Sequence, residues 1–117
     1  MNSVVVKSAD KPSIQRAVQS YVELLYATHS EVEKVIWFGS WINGLPSPGS
    51  DVDLCLIVSK SSKNRRERVQ DYLPVGFPVG VDLFVYTADE FQGLRDRLPG
   101  WYRAIMSGIE IGEEYKR

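Results

Sequence analysis

The sequence predicts an α+β fold in which a small mixed β-sheet is covered by helices. Apolar residues recur with the helical period over residues 11–28, and three short β-branched runs begin near residues 35, 51 and 81. Helical or Pro/Gly-rich segments separate those runs. At 117 residues the chain is long enough for one domain, residues 1–117, and too short for two ordinary ones.

Each element has a local cause. Ile14, Ala17, Val18, Tyr21, Val22 and Leu25 lie on one helical face, with Gln15, Arg16, Gln19 and Glu23 on the other. Asp10 can cap the start of this helix, and Pro12 is tolerated in its first turn, where amides lack partners. Val35-Ile36-Trp37-Phe38 reads as a strand covered on both faces and ending at Gly39. Ser40 is a suitable N-cap for a short helix over 41–43, and Gly44 followed by Leu-Pro-Ser-Pro-Gly ends it. Residues 51–59, DVDLCLIVS, form the second strand, and a charged surface helix follows at about 63–73. VDLFVY at 81–86 is the third strand. Thr87 and Glu90 have capping-box spacing and Tyr86 with Phe91 that of a hydrophobic staple, so a helix starts at about residue 88. Pro99-Gly100 breaks it, a last short helix covers 101–107, and IEIGEEYK is a candidate edge strand.

Composition narrows the function classes. Fourteen basic against fifteen acidic residues weigh against a protein whose main task is neutralising nucleic-acid phosphates, so nucleic acid is not the expected partner. Cys55 is the one cysteine, so no internal disulfide can form, and no residues have zinc-site spacing; a reducing cytoplasm fits best. The apolar run near the N-terminus is too short for a signal peptide, and no stretch is long enough to span a membrane.

The chemistry concentrates in FGSWINGLPSPGSDVDLCLIV, residues 38–58. Asp51 and Asp53 alternate along a strand, so they point to one face with Cα atoms about 6.6 Å apart. Asp82 opens the next strand and would add a third negative charge. At 4 Å and an effective dielectric near 20, each such pair costs about 4 kcal/mol, a large fraction of a domain's stability. A raised pKa, an arginine partner or a metal would relieve it. Oxygen ligands without histidine or thiolate favour Mg²⁺. Two such ions, about 3.5–4 Å apart, would exceed the charge of three carboxylates and suit a polyphosphate substrate. Gly39-Ser40 supplies the complement, since a glycine admits close approach of phosphate and the next helix start offers free amides.

Gly39-Ser40, ten intervening residues, Asp51-Val52-Asp53-Leu54 and Asp82 on a later strand together resemble the signature of the polymerase-beta-like nucleotidyltransferase superfamily, in particular its minimal single-domain members. The likeness extends over nearly the whole chain. It implies Mg²⁺-dependent transfer of a nucleoside monophosphate, AMP from ATP foremost, to a hydroxyl with release of pyrophosphate. By position, Asp51 and Asp53 would bind the metals, Asp82 would bind one metal and help deprotonate the acceptor, and Gly39 and Ser40 would hold the triphosphate. Minimal members often pair with a small helical protein of the HEPN type and act as its antitoxin, so such a partner is implied, with a homodimer as another assembly. Many of them carry arginine after Gly-Ser and a second basic residue two positions on, where this chain has Trp41 and Asn43. A small-molecule acceptor, a non-catalytic binding module and template-free extension of an RNA end are the alternatives.

The remaining conspicuous residues have ordinary readings. Cys55 fits as a small apolar filler. His29 fits as a helix-end imidazole. Lys63, Arg65, Arg66 and Arg68 fit as a solvated helix face. Trp41 is open between packing and stacking on a base.

Overall fold

A computed structural model describes residues 10–47 and 49–116. The apolar run near the N-terminus, Val4 to Val6, lies outside them. Helix α1 covers Lys11–Thr28, with the Asp10 side chain accepting from the Ser13 amide at 2.8 Å and Pro12 in the first turn. Strand β1, Val32–Phe38, follows and begins three residues before the apolar run that marks it in the sequence. The charged pair Glu33-Lys34 hides that extension, which holds because Val32 is buried and faces Val58 across the sheet.

After the short helix α2, Ser40–Asn43, comes β2, Val52–Val58. Asp51 therefore stands just outside the strand. Helix α3, Arg65–Tyr72, starts at an Asn64/Glu67 capping box that also shortens the expected 63–73 span. Strand β3, Val81–Thr87, ends at the Thr87/Glu90 capping box opening α4, Ala88–Arg97. Tyr86 and Phe91 meet beside it, with ring centroids 6.3 Å apart. The break before α5, Pro99–Met106, falls at Leu98; Pro99 begins the new helix, where its missing amide costs nothing. Strand β4 is Ile109–Glu110, and a 3₁₀ turn follows at Glu113–Tyr115.

The sheet runs β3-β2-β1-β4, with β1 antiparallel to both neighbours and β2 parallel to β3. It is the mixed sheet the sequence predicts. Strand alternation sends Val35, Trp37, Leu54, Leu56, Leu83 and Val85 to the face covered by α1, where they meet Ile14, Val18 and Val22. Ile36, Cys55, Ile57 and Tyr86 take the other face, under Phe91 and Leu94 of α4 and Ile105 of α5. Being central, β2 is buried on both faces, which is why it reads as an almost unbroken apolar run after Asp53. Cys55 is fully buried, in agreement with its reading as core. Among the described residues no helix is long and apolar enough to cross a membrane.

Candidate active site

The parallel pairing of β2 with β3 sets Asp53 directly opposite Asp82. On its other side Asp53 faces Phe38, the last residue of β1. Sequence alternation alone put Asp51 and Asp53 on one face; the register is what adds Asp82. Residues 53 and 82 share the α4/α5 face with Cys55 and Phe84, but lie at the strand starts beyond the apolar cover.

Gly39 closes β1 beside this row with φ +86° and ψ −157°, a backbone that favours glycine. A Cβ at residue 39 would collide with the Asp53 carboxylate. Glycine is thus required twice, for its backbone and for the space that Asp53 occupies. Gly39, not Ser40, is the N-cap of α2; its carbonyl accepts from the amides of Ile42 and Asn43 at 3.0 and 2.9 Å, and no side chain caps the helix. The Ser40 hydroxyl is therefore not used as the cap expected of it, and the first two amides of α2, those of Ser40 and Trp41, have no intrahelical partner.

Burial first, then the charge and hydrogen bond of Asp82, with a further push from Asp51, raise the Asp53 carboxyl to about 6. Asp53 is half-buried, whereas Asp51 and Asp82 are exposed. Asp51 leans on Gly80: a Cβ at residue 80 would strike its carboxylate, and the Val52 amide donates to the Gly80 carbonyl at 2.9 Å. In the sequence Gly80 is the last residue of the Pro/Gly-rich segment 74–80 and carries no other mark. Its signal was position, directly before the third strand as Asp51 is directly before the second.

As placed, Asp53 and Asp82 are a close pair with Asp51 to one side, and among the described residues no three His, Cys, Asp or Glu side chains form a ready-made metal group. The donor chemistry nevertheless fits a hard divalent cation, since all the atoms are carboxylate oxygens. The charge conflict that raises Asp53 is one a bound cation would reverse.

Two residues at the departures from the minimal pattern are structural here. Trp41 is 4% exposed and packs in the core, with its Nε1 donating to the Ser50 carbonyl at 2.9 Å, so it offers no free face for a base. Asn43 Nδ2 donates to Ser107 Oγ at 2.8 Å, tying α2 to the end of α5. The basic helix is also partly internal rather than a solvated face. Arg68 is 4% exposed, and its guanidinium donates to both Glu90 carboxylate oxygens at 2.5 and 3.0 Å. Lys63 pairs with Asp71 at 2.7 Å, and Arg65 lies 5.7 Å from the Tyr86 ring centroid. His29 closes α1 with its backbone amide, which donates to Leu25 O at 2.8 Å, while its imidazole turns to Glu31 at 3.2 Å. Imidazole capping is thus not what holds that helix end.

Residues 5–76 match the family described as poly(A) RNA polymerase, mitochondrial-like, central palm domain. The chain belongs to this family. The matched span includes Gly39, Ser40, Asp51 and Asp53 and stops short of Asp82, which the β2–β3 register sets opposite Asp53. A crystal structure of a Sulfolobus solfataricus protein described as a nucleotidyltransferase superposes with a TM-score of 0.61 at 19% identity, covering 86% of this chain and 80% of that one. That likeness shows the fold. The palm domain thus has the nucleotidyltransferase architecture that Gly39-Ser40 and the three aspartates suggest. No curated protein matches the chain.

Proposed function

We propose that this palm domain transfers a nucleoside monophosphate, AMP foremost, from a nucleoside triphosphate to a hydroxyl, with Mg²⁺ held by Asp51, Asp53 and Asp82. The observation that carries the reading is the in-register Asp53–Asp82 pair against Gly39, with the Asp53 carboxyl raised to about 6. A structural pair would lose stability from this arrangement and gain nothing, whereas a cation-binding pair uses the same charges. Bound Mg²⁺ would neutralise the charge that develops on the phosphates. Gly39 leaves the space for Asp53 and for phosphate approach, and Ser40 with the first amides of α2 orients the triphosphate. Asp82, exposed at the strand start, accepts the proton of the attacking hydroxyl as the new oxygen–phosphorus bond forms at the α-phosphorus. The bond from that phosphorus to the β-phosphate oxygen breaks, and pyrophosphate leaves.

The acceptor in our first reading is a hydroxyl of a partner protein, a small helical toxin of the HEPN type neutralised in the cytoplasm, which the near-neutral net charge of −1 favours over nucleic acid. The family description supports a second reading, addition to an RNA 3′ end. Labelled ATP and Mg²⁺ offered with the product of the adjacent gene and, separately, with RNA distinguish them. Label in the protein band supports the first reading, and lengthened RNA the second. Either must vanish in Asp51→Asn and Asp53→Asn. A stable complex without label would instead make the domain a non-catalytic binding module.

A further inference from the structure

We infer that Trp41 is a positioning residue that sets the place of Asp51, an inference that rests on the metal reading above. Of the residues between α2 and β2, Leu45, Pro46, Ser47, Gly49 and Ser50 lie in no helix or strand, and Leu45, Ser47 and Gly49 are exposed. The Ser50 amide donates to Ser47 O at 2.9 Å, the Ser47 amide donates to Ser50 Oγ at 2.9 Å, and the two hydroxyls lie 3.1 Å apart. Those bonds join Ser47 to Ser50 and reach no other element. Among the described residues the one hydrogen bond joining residues 45–50 to the rest of the molecule is Trp41 Nε1 to Ser50 O, at 2.9 Å.

Ser50 is one Cα step, about 3.8 Å, before Asp51. On the far side Val52 is fixed by its amide to Gly80 O. Asp51, outside the strand ladder, is therefore held between two anchors, and Trp41 supplies one of them. The indole itself cannot drift, being packed in the core among residues of α1 and the sheet. Trp41 also follows Ser40 directly in α2. A single side chain thus links the turn assigned to the triphosphate with the carboxylate assigned to the metal. Where many minimal members of the superfamily carry arginine, this chain uses the position for alignment.

The test uses Trp41→Phe, which keeps an aromatic ring in the core and removes the N–H. Mn²⁺ affinity is measured by calorimetry in the native protein, Trp41→Phe, Asp51→Asn and the double variant, with circular dichroism confirming the fold. Loss of an orienting partner behind a ligand weakens metal binding by about tenfold. Trp41→Phe should show that loss in the native background and none on top of Asp51→Asn. Unchanged affinity in folded Trp41→Phe, or the same loss in both backgrounds, overturns the inference. If the native protein binds no Mn²⁺, the proposed function fails separately. In that case the amide NMR signals decide, with displaced Ser50 and Asp51 signals in Trp41→Phe supporting the anchor and unmoved signals overturning it.

Discussion

Asp53 sits where burial and the neighbouring Asp82 raise its carboxyl from 3.8 to about 6. Between those values the unfolded chain gives up the proton before the folded one does, so this group's contribution to stability falls as pH rises through roughly 4 to 6. Asp53→Asn removes the penalty without changing shape. The variant should melt at a higher temperature than the native protein at pH 7.5, with the difference vanishing near pH 3.5, while cation binding is lost at all pH values. A lower melting temperature at pH 7.5 would contradict the account. The residues of this site differ in how legible they were. Asp51, Asp53 and Asp82 announce themselves because acidic residues at the mouths of apolar strands are costly in any fold. Gly80 did not, because its role arises from a contact with Asp51 across two strands. Arg68 was misread for a similar reason: its helix has few apolar anchors, and its partner Glu90 lies 22 positions along the chain.

At the scale of elements, caps and breakers were the most legible features. Asp10, Thr87 with Glu90, and Pro99 each act within one helical turn, so local sequence contains the whole interaction. The start of β1 was less legible, since only pairing with Val58 makes Val32 part of a strand. Glu90 works both as the capping-box residue of α4 and as the partner of Arg68, joining two helices flanking β3. The Arg68 bond, with help from the Thr87 amide, lowers its carboxyl to about 2. Since that value lies below the unfolded one, the stabilisation is present above about pH 4.5 and disappears as pH falls towards 2. Glu90→Gln should flatten the acid limb of the stability curve. At pH 7 it should cost about 2–3 kcal/mol in urea melts, under the value for a fully buried pair because Glu90 keeps 31% of its side-chain surface exposed. A native-like acid limb in the variant would remove Glu90 from the explanation.

The two glycines at the ends of elements should separate stability from binding. Gly39→Ala meets both a left-handed backbone and the Asp53 carboxylate, so it should lose about 1–2 kcal/mol. Gly80→Ala meets only the mobile end of the Asp51 side chain, so it should unfold within about 0.5 kcal/mol of the native protein. Calorimetry should nonetheless show both variants with weakened Mn²⁺ binding. Gly80→Ala with native affinity would exclude the Asp51–Gly80 contact from the site.

For the whole molecule, the fold class follows from the number and order of amphipathic segments, while the register that joins Asp53 to Asp82 does not. Two apolar strands can pair in several registers, and packing both faces against α1 and α4/α5 selects one. That selection has a consequence for anyone wishing to handle this protein. Because β2 and β3 run parallel and both begin at the aspartates, their exits, and the chain from Ser59 to Asn64 that leaves β2, lie one strand length away, about 20 Å. Lys60, Ser62 and Lys63 are exposed there. A fluorophore or a short epitope inserted between Ser61 and Ser62 should leave melting temperature and Mn²⁺ affinity at native values, and a loss of either would show that the two ends communicate. If the aspartate end works as proposed, the palm has a working end and a handling end, and a reporter fixed to the second leaves the first clear for substrates.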